Sequence, residues 1–137
     1  MSSLRIFIAG SDSAADWTEL TAGAEPAVRI QARDLQHAQR ASRRVRAEAA
    51  VESAVVLDLE VLIADDRRTA RRLMSSVTSE HDTVHYVGTV DGLAGLVADI
   101  YSAGVADGVT LIPVSPEQDA RALGESTLQR LRFKTAC

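Results

Sequence analysis

Residues 6–17 read IFIAGSDSAADW, and the way the chain continues past Gly10 decides the fold. An apolar run enters a turn of small residues, Gly10-Ser11-Asp12-Ser13, and a helix is expected over residues 13–22, with Gly23 and Pro26 marking its exit. A strand, a tight turn and a helix make one βα unit, the piece from which parallel sheets are assembled. The first strand then spans residues 4–9, and later strands should run parallel to it.

The same alternation continues. Over 27–33, Val28, Ile30 and Ala32 point one way and Arg29, Gln31 and Arg33 the other, which is the two-residue period of a strand. A helix over 37–50 would bury Ala38, Ala41, Val45 and Ala49 and turn Arg40, Arg43, Arg44 and Arg46 largely outward. The third strand, 54–64, is AVVLDLEVLIA. One face carries Val55, Leu57, Leu59, Val61 and Ile63, and the other carries Asp58 and Glu60. Asp65 is placed to cap a helix reaching about residue 77. HYVGT, from residue 85, leads into a helix over 90–103 that stops at Gly104, and a fourth strand covers 108–113. Ser115-Pro116-Glu117-Gln118 reads as the start of a last helix ending near residue 132. The expected fold is α/β, with four parallel βα units in sequential order forming one domain over 1–137.

Composition narrows the function classes. The chain has 137 residues, of which 46% are hydrophobic and 25% charged, as expected of one packed globular domain. A net charge of −4 argues against a nucleic-acid footprint, which needs a basic face to displace counterions from phosphates. Cys137 is the single cysteine, so neither a disulfide framework nor CxxC spacing is available, which fits a reducing compartment. No apolar run approaches the roughly 18 residues of a membrane span, and Met1-Ser-Ser-Leu-Arg does not start a signal peptide. The expected location is cytoplasmic, with neither nucleic acid nor membrane as partner.

HYVGTVDGLAGLVADIYSAGVADGVTLIPVSPEQ, residues 85–118, resembles the last barrel unit of the luciferase-like monooxygenases, enzymes of the (βα)8 barrel class that use FMN or a deazaflavin. The likeness lies in a Tyr-Val-Gly-Thr turn, an amphipathic helix, an Ala-Gly-x-x-Asp-Gly approach and a strand ending Leu-Ile-Pro. VVLDLEVLIADD, residues 55–66, is similar to the family's seventh strand, and AVRIQARDLQHAQRASRRVRAEA, residues 27–49, to its sixth strand and helix. IFIAGSDSAADW then falls at the fifth strand and the turn that approaches the flavin phosphate. The resemblance implies the second half of a TIM-type barrel, since a complete barrel takes about 250 residues. It also implies that the residues around the reacting flavin ring, which the family draws largely from its first half, have no counterpart here.

Each candidate site has two readings. Gly10, Ser11 and Ser13 form either a cradle for a flavin phosphate, with backbone N–H groups and the positive end of a helix, or an ordinary helix cap. Gly88 and Thr89 offer the same choice, and the cap is favoured. Asp58 and Glu60 suit acid–base chemistry by type, but Arg29 and Arg33 lie where they can neutralise them across the sheet, so a structural ion-pair network is expected and no catalytic residue is assigned. His37, His81 and His85 lack metal-ligand spacing. Trp17, the only tryptophan, is expected to pack on the sheet or mark an interface.

Four parallel strands cannot close, so half a barrel leaves a polar inner face and two edges bare. A homodimer, or a chain supplying the first half, is the expected partner. Two functions follow: a truncated relative that does not catalyse alone, or an FMN- or deazaflavin-dependent oxidoreductase completed by association.

Overall fold

The computed structural model describes residues 4–10, 13–48, 53–74, 83–114 and 118–135. Six strands and four helices alternate through these segments: β1 (Arg5–Gly10), β2 (Ser13–Glu19), β3 (Ala27–Ile30), α1 (Leu35–Glu48), β4 (Ala54–Ile63), α2 (Arg67–Met74), β5 (Val84–Gly88), α3 (Val90–Ser102), β6 (Gly108–Pro113) and α4 (Ala120–Thr135). The strands form one sheet in the order β2-β1-β6-β4-β3, with β5 also paired to β4, and the sheet curls as a half-barrel.

β4 is the centre of the sheet because its run of β-branched and leucine side chains suits burial on both faces. β6 pairs along one edge of it, while β3 holds the first half of the other edge and β5 the second half. Where β3 and β5 meet, the Val84 amide donates to the Ala32 carbonyl at 2.9 Å. Ile6, Ile8, Leu57, Leu59, Val109 and Leu111 face the helices and pack with Leu93, Val97, Leu123 and Leu131 of α3 and α4. Each such side chain contributes about 1.5–3 kcal/mol on burial. Residues of opposite parity line the inner face, and there the polar groups gather.

The expectation of four parallel βα units in sequential order is overturned on two counts. Residues 13–22 do not form a helix: Ser13–Glu19 is a strand that returns antiparallel to β1, with Gly10 opposite Ser13. Tertiary contacts outweigh local helix preference here, because the alternation of a strand sends Trp17 and Glu19 to the inner face, where they meet Thr110 and Arg5. The second correction is the order. β1 lies parallel to β6, the last strand, and not beside β3. Gly108 permits this neighbour: a Cβ there would sit 2.2 Å from the Arg5 carbonyl oxygen. The first strand therefore lies against the last, which is the seam at which a (βα)8 barrel closes, and does not occupy the place of a fifth strand next to a sixth.

β5 is a further strand where the sequence led only to a helix approach, and it pairs parallel with the second half of β4. The other elements lie near their expected bounds, with the helix starts set by caps. Asp34 accepts from the His37 amide at 2.7 Å and starts α1 early. Asp66, not Asp65, caps α2 by accepting from the Thr69 amide at 2.8 Å. Asp119 accepts from the amides of Arg121 and Ala122 and opens α4 later than the Ser115 cap expected; residues 115–117 lie outside the described residues. β6 has the bounds read from the sequence.

Candidate functional site

The inner face is built in rows across the strands. Phe7, Thr110 and Asp58 are direct partners across β1, β6 and β4, and Ile112, Glu60 and His85 form the next row. Between the pairs Ile8–Thr18 and Gly10–Ser13, β1 supplies one residue, Ala9, and β2 supplies four, residues 14–17. Such a bulge twists an edge strand and re-aims a side chain. The Trp17 ring stacks on Phe7 with centroids 4.4 Å apart and planes at 13°, and its Nε1 donates to Thr110 Oγ1 at 2.8 Å. The Arg29 guanidinium lies 5.8 Å from the centre of the indole.

Arg29 also donates from Nε to Asp58 Oδ1 at 2.6 Å, the cross-strand pair that the alternation of charges led us to expect. Asp58 is buried, and loss of solvent pushes its carboxyl above the usual carboxylate range; Arg29 opposes that shift and nearby Glu60 adds to it. Glu60 is buried as well, with its Oε2 3.3 Å from His85 Nε2, while His85 is about a third exposed. Gln31 donates to Thr83 Oγ1 at 2.8 Å on the same face. Asp58 thus pairs with Arg29, as expected, and Glu60 lies against His85, a neighbour the sequence reading had not given it. Among the described residues no group of three His, Cys, Asp or Glu side chains is arranged to hold a metal ion.

A second cluster fixes the hairpin. Arg5, buried, donates twice to Glu19, at 2.8 and 2.7 Å, and once to the Glu25 carbonyl at 2.8 Å. Glu19 also accepts from the Thr21 hydroxyl and the Gly23 amide. These donors, Arg5 foremost, hold the Glu19 carboxyl down at about 2. Gly23 leaves room for the guanidinium, since a Cβ there would meet Arg5 Nε at 2.1 Å.

The sequence-read phosphate residues are not brought together as a cradle. Gly10 and Ser13 end β1 and begin β2, so no helix start stands behind them, and Ser11 lies outside the described residues. Thr89 is the N-cap of α3: its hydroxyl accepts from the Gly92 amide at 3.2 Å, and its carbonyl accepts from the Tyr86 hydroxyl at 2.9 Å. The Tyr86 hydroxyl fills the space beside Gly88, 2.6 Å from where a Cβ would stand, and Asp91 adds a negative charge in the first turn. The helix start expected behind Gly10 and Ser13 is therefore absent, and Thr89 serves as the expected cap. Of the histidines, His37 helps close the start of α1, His85 joins Glu60, and His81 lies outside the described residues. Arg40, Arg43, Arg44, Arg67, Arg68 and Arg71 are exposed, as solvated faces should be, and Arg46 pairs with Asp107 at 3.1 Å.

Sequence reasoning missed Phe7 and Thr110 as inner-face residues and placed Trp17 on a helix. The parity of Thr110 relative to the apolar Val109 and Leu111 was the available signal; the bulge that aims Trp17 left none. Among the described residues no helix is long and apolar enough to cross a membrane. Compared with models of known protein families and with curated proteins, the chain matches none.

Proposed function

We infer that the chain is a non-catalytic half-barrel of the luciferase-like kind, a binding and association module whose partner is a second copy or a chain that supplies further strands. The observation that carries the reading is the strand over residues 13–19, which takes away the positive helix end on which the expected phosphate site at Gly10 and Ser13 relied. Catalysis on a flavin also needs a closed, water-excluding pocket with donors aimed at developing charge; the inner face is packed by the Phe7–Trp17 stack, the Trp17–Thr110 bond and the Arg29–Asp58 pair, as a barrel interior is, so the walls of such a pocket fall to another chain. The parallel neighbours β3, β4 and β6, in the order the resemblance implies for its sixth, seventh and eighth strands, support the link to the barrel class.

The test uses the purified chain with FMN, then with a deazaflavin, following the visible spectrum and the oxidation of the reduced cofactor against a cofactor-only control. No turnover above the control is expected. Substrate-dependent turnover would overturn the reading. The oxidoreductase alternative draws on the Glu60–His85 pair, a buried carboxylate orienting a partly exposed imidazole; it requires turnover that appears with a complementary chain and is lost in His85→Ala.

A further inference from the structure

The indole of Trp17 is held as a bound ligand is held. One face lies on Phe7, the ring nitrogen donates to a side-chain hydroxyl that is itself buried on β6, and a guanidinium flanks the ring. The backbone that carries it departs from ladder register, and the groups that receive it do not. Phe7, Thr110, Asp58 and Arg29 stand on strands in register with their neighbours, whereas Trp17 belongs to the four-residue bulge opposite Ala9, on an edge strand whose outer side has no strand partner among the described residues. Trp17 is also only partly buried.

We propose that Phe7, Thr110 and Arg29 form a binding site for a planar bicyclic heteroaromatic bearing an N–H donor, and that Trp17 is its displaceable occupant in cis. A ligand of this class stacks on Phe7, gives its N–H to Thr110 Oγ1 and lies beside Arg29, while the bulge carries Trp17 outward. Arg29 stays oriented throughout by its 2.6 Å bond to Asp58. The site uses the same Phe7, Trp17 and Thr110 contacts as the function proposed above, but turnover with a flavin and displacement of Trp17 by a small heteroaromatic are read separately.

Two measurements test it. In Trp17→Ala, indole should bind at least 10-fold more tightly than 1-methylindole, which lacks the N–H, and Thr110→Val in that background should erase the difference. The second uses the unaltered chain, whose only tryptophan is its own reporter. Benzimidazole, added up to ~10 mM, should raise the quenching of Trp17 emission by acrylamide as the indole moves into solvent. Unchanged quenching overturns the proposal whatever the variant does, and marks Trp17 as a fixed part of the core. Equal binding of indole and 1-methylindole by a folded Trp17→Ala chain overturns it too, by reducing the site to a non-specific cavity.

Discussion

Glu19 and Asp58 respond to acid in opposite senses. Glu19 is held at about 2, below its ordinary 4.5, chiefly by the bidentate Arg5. The stability it contributes is therefore complete above pH ~4.5 and is lost as pH falls towards 2. Allowing for solvent at the pair, the loss is on the order of 2 kcal/mol. Asp58 is shifted upward by burial, so its folded form takes up a proton before the unfolded chain does, and its ionisation lowers stability as pH rises through its raised pKa. Urea unfolding at a series of pH values should show a small gain on mild acidification, absent in Asp58→Asn, and then a fall towards pH 2, reduced in Glu19→Gln but not abolished, because the Asp66 carboxyl is also held low by its bonds to Thr69. Arg29→Met should cost about 2–3 kcal/mol, because it leaves a buried carboxylate without its cation, and Asp58→Asn in the same chain should recover part of that loss. A loss no larger than that of an exposed arginine such as Arg43 would show the pair to be idle.

Among the elements, the contact between β1 and β6 is the one most dependent on a single residue. Gly108→Ala places a Cβ against the Arg5 carbonyl, and backbone cannot give way as a side-chain tip can. The two strands must part, at a cost of about 2–3 kcal/mol, with the amides of β1 and β2 exchanging hydrogen before those of β4. Gly95→Ala in α3 meets nothing within 4 Å and should stabilise by about 0.5–1 kcal/mol, an internal control for glycine replacement. Equal effects of the two substitutions would refute the account of the seam. These elements also show how much the sequence could tell. β4, β6 and α3 were legible because long apolar runs and a capping threonine are local signals, and a contact of Arg29 or Arg33 with Asp58 or Glu60 followed from alternation and the pairing of sequential strands, of which Arg29–Asp58 is the one formed. The hairpin was not legible: Ser-Ala-Ala-Asp-Trp is compatible with a helix, and only Arg5, Phe7 and Thr110, distant or on another strand, make the extended form better. β5 was hidden for a related reason, since four or five residues before a helix cap have no period to read, and their partner is the far half of β4. The phosphate reading at Gly10, Ser11 and Ser13 inherited the same error, because it needed a helix that the hairpin replaces.

For the whole molecule, the edges of the sheet argue for association. Strands β2, β3 and β5 form its two edges, with no further strand on their outer sides among the described residues, whereas the inner face is covered: Phe7, Asp58, Glu60 and Thr110 are all buried. Unpaired edge backbone is a template for a second chain, and pairing with a second copy satisfies those groups. Sedimentation equilibrium at ~10 μM should therefore return a mass near twice 14.7 kDa. Because association draws on the folded form alone, the melting temperature should also rise with protein concentration. A monomer mass across the range, with a melting temperature that does not move, would mean that the half-barrel is stable with its edge strands in water and would remove the case for a partner built on those edges.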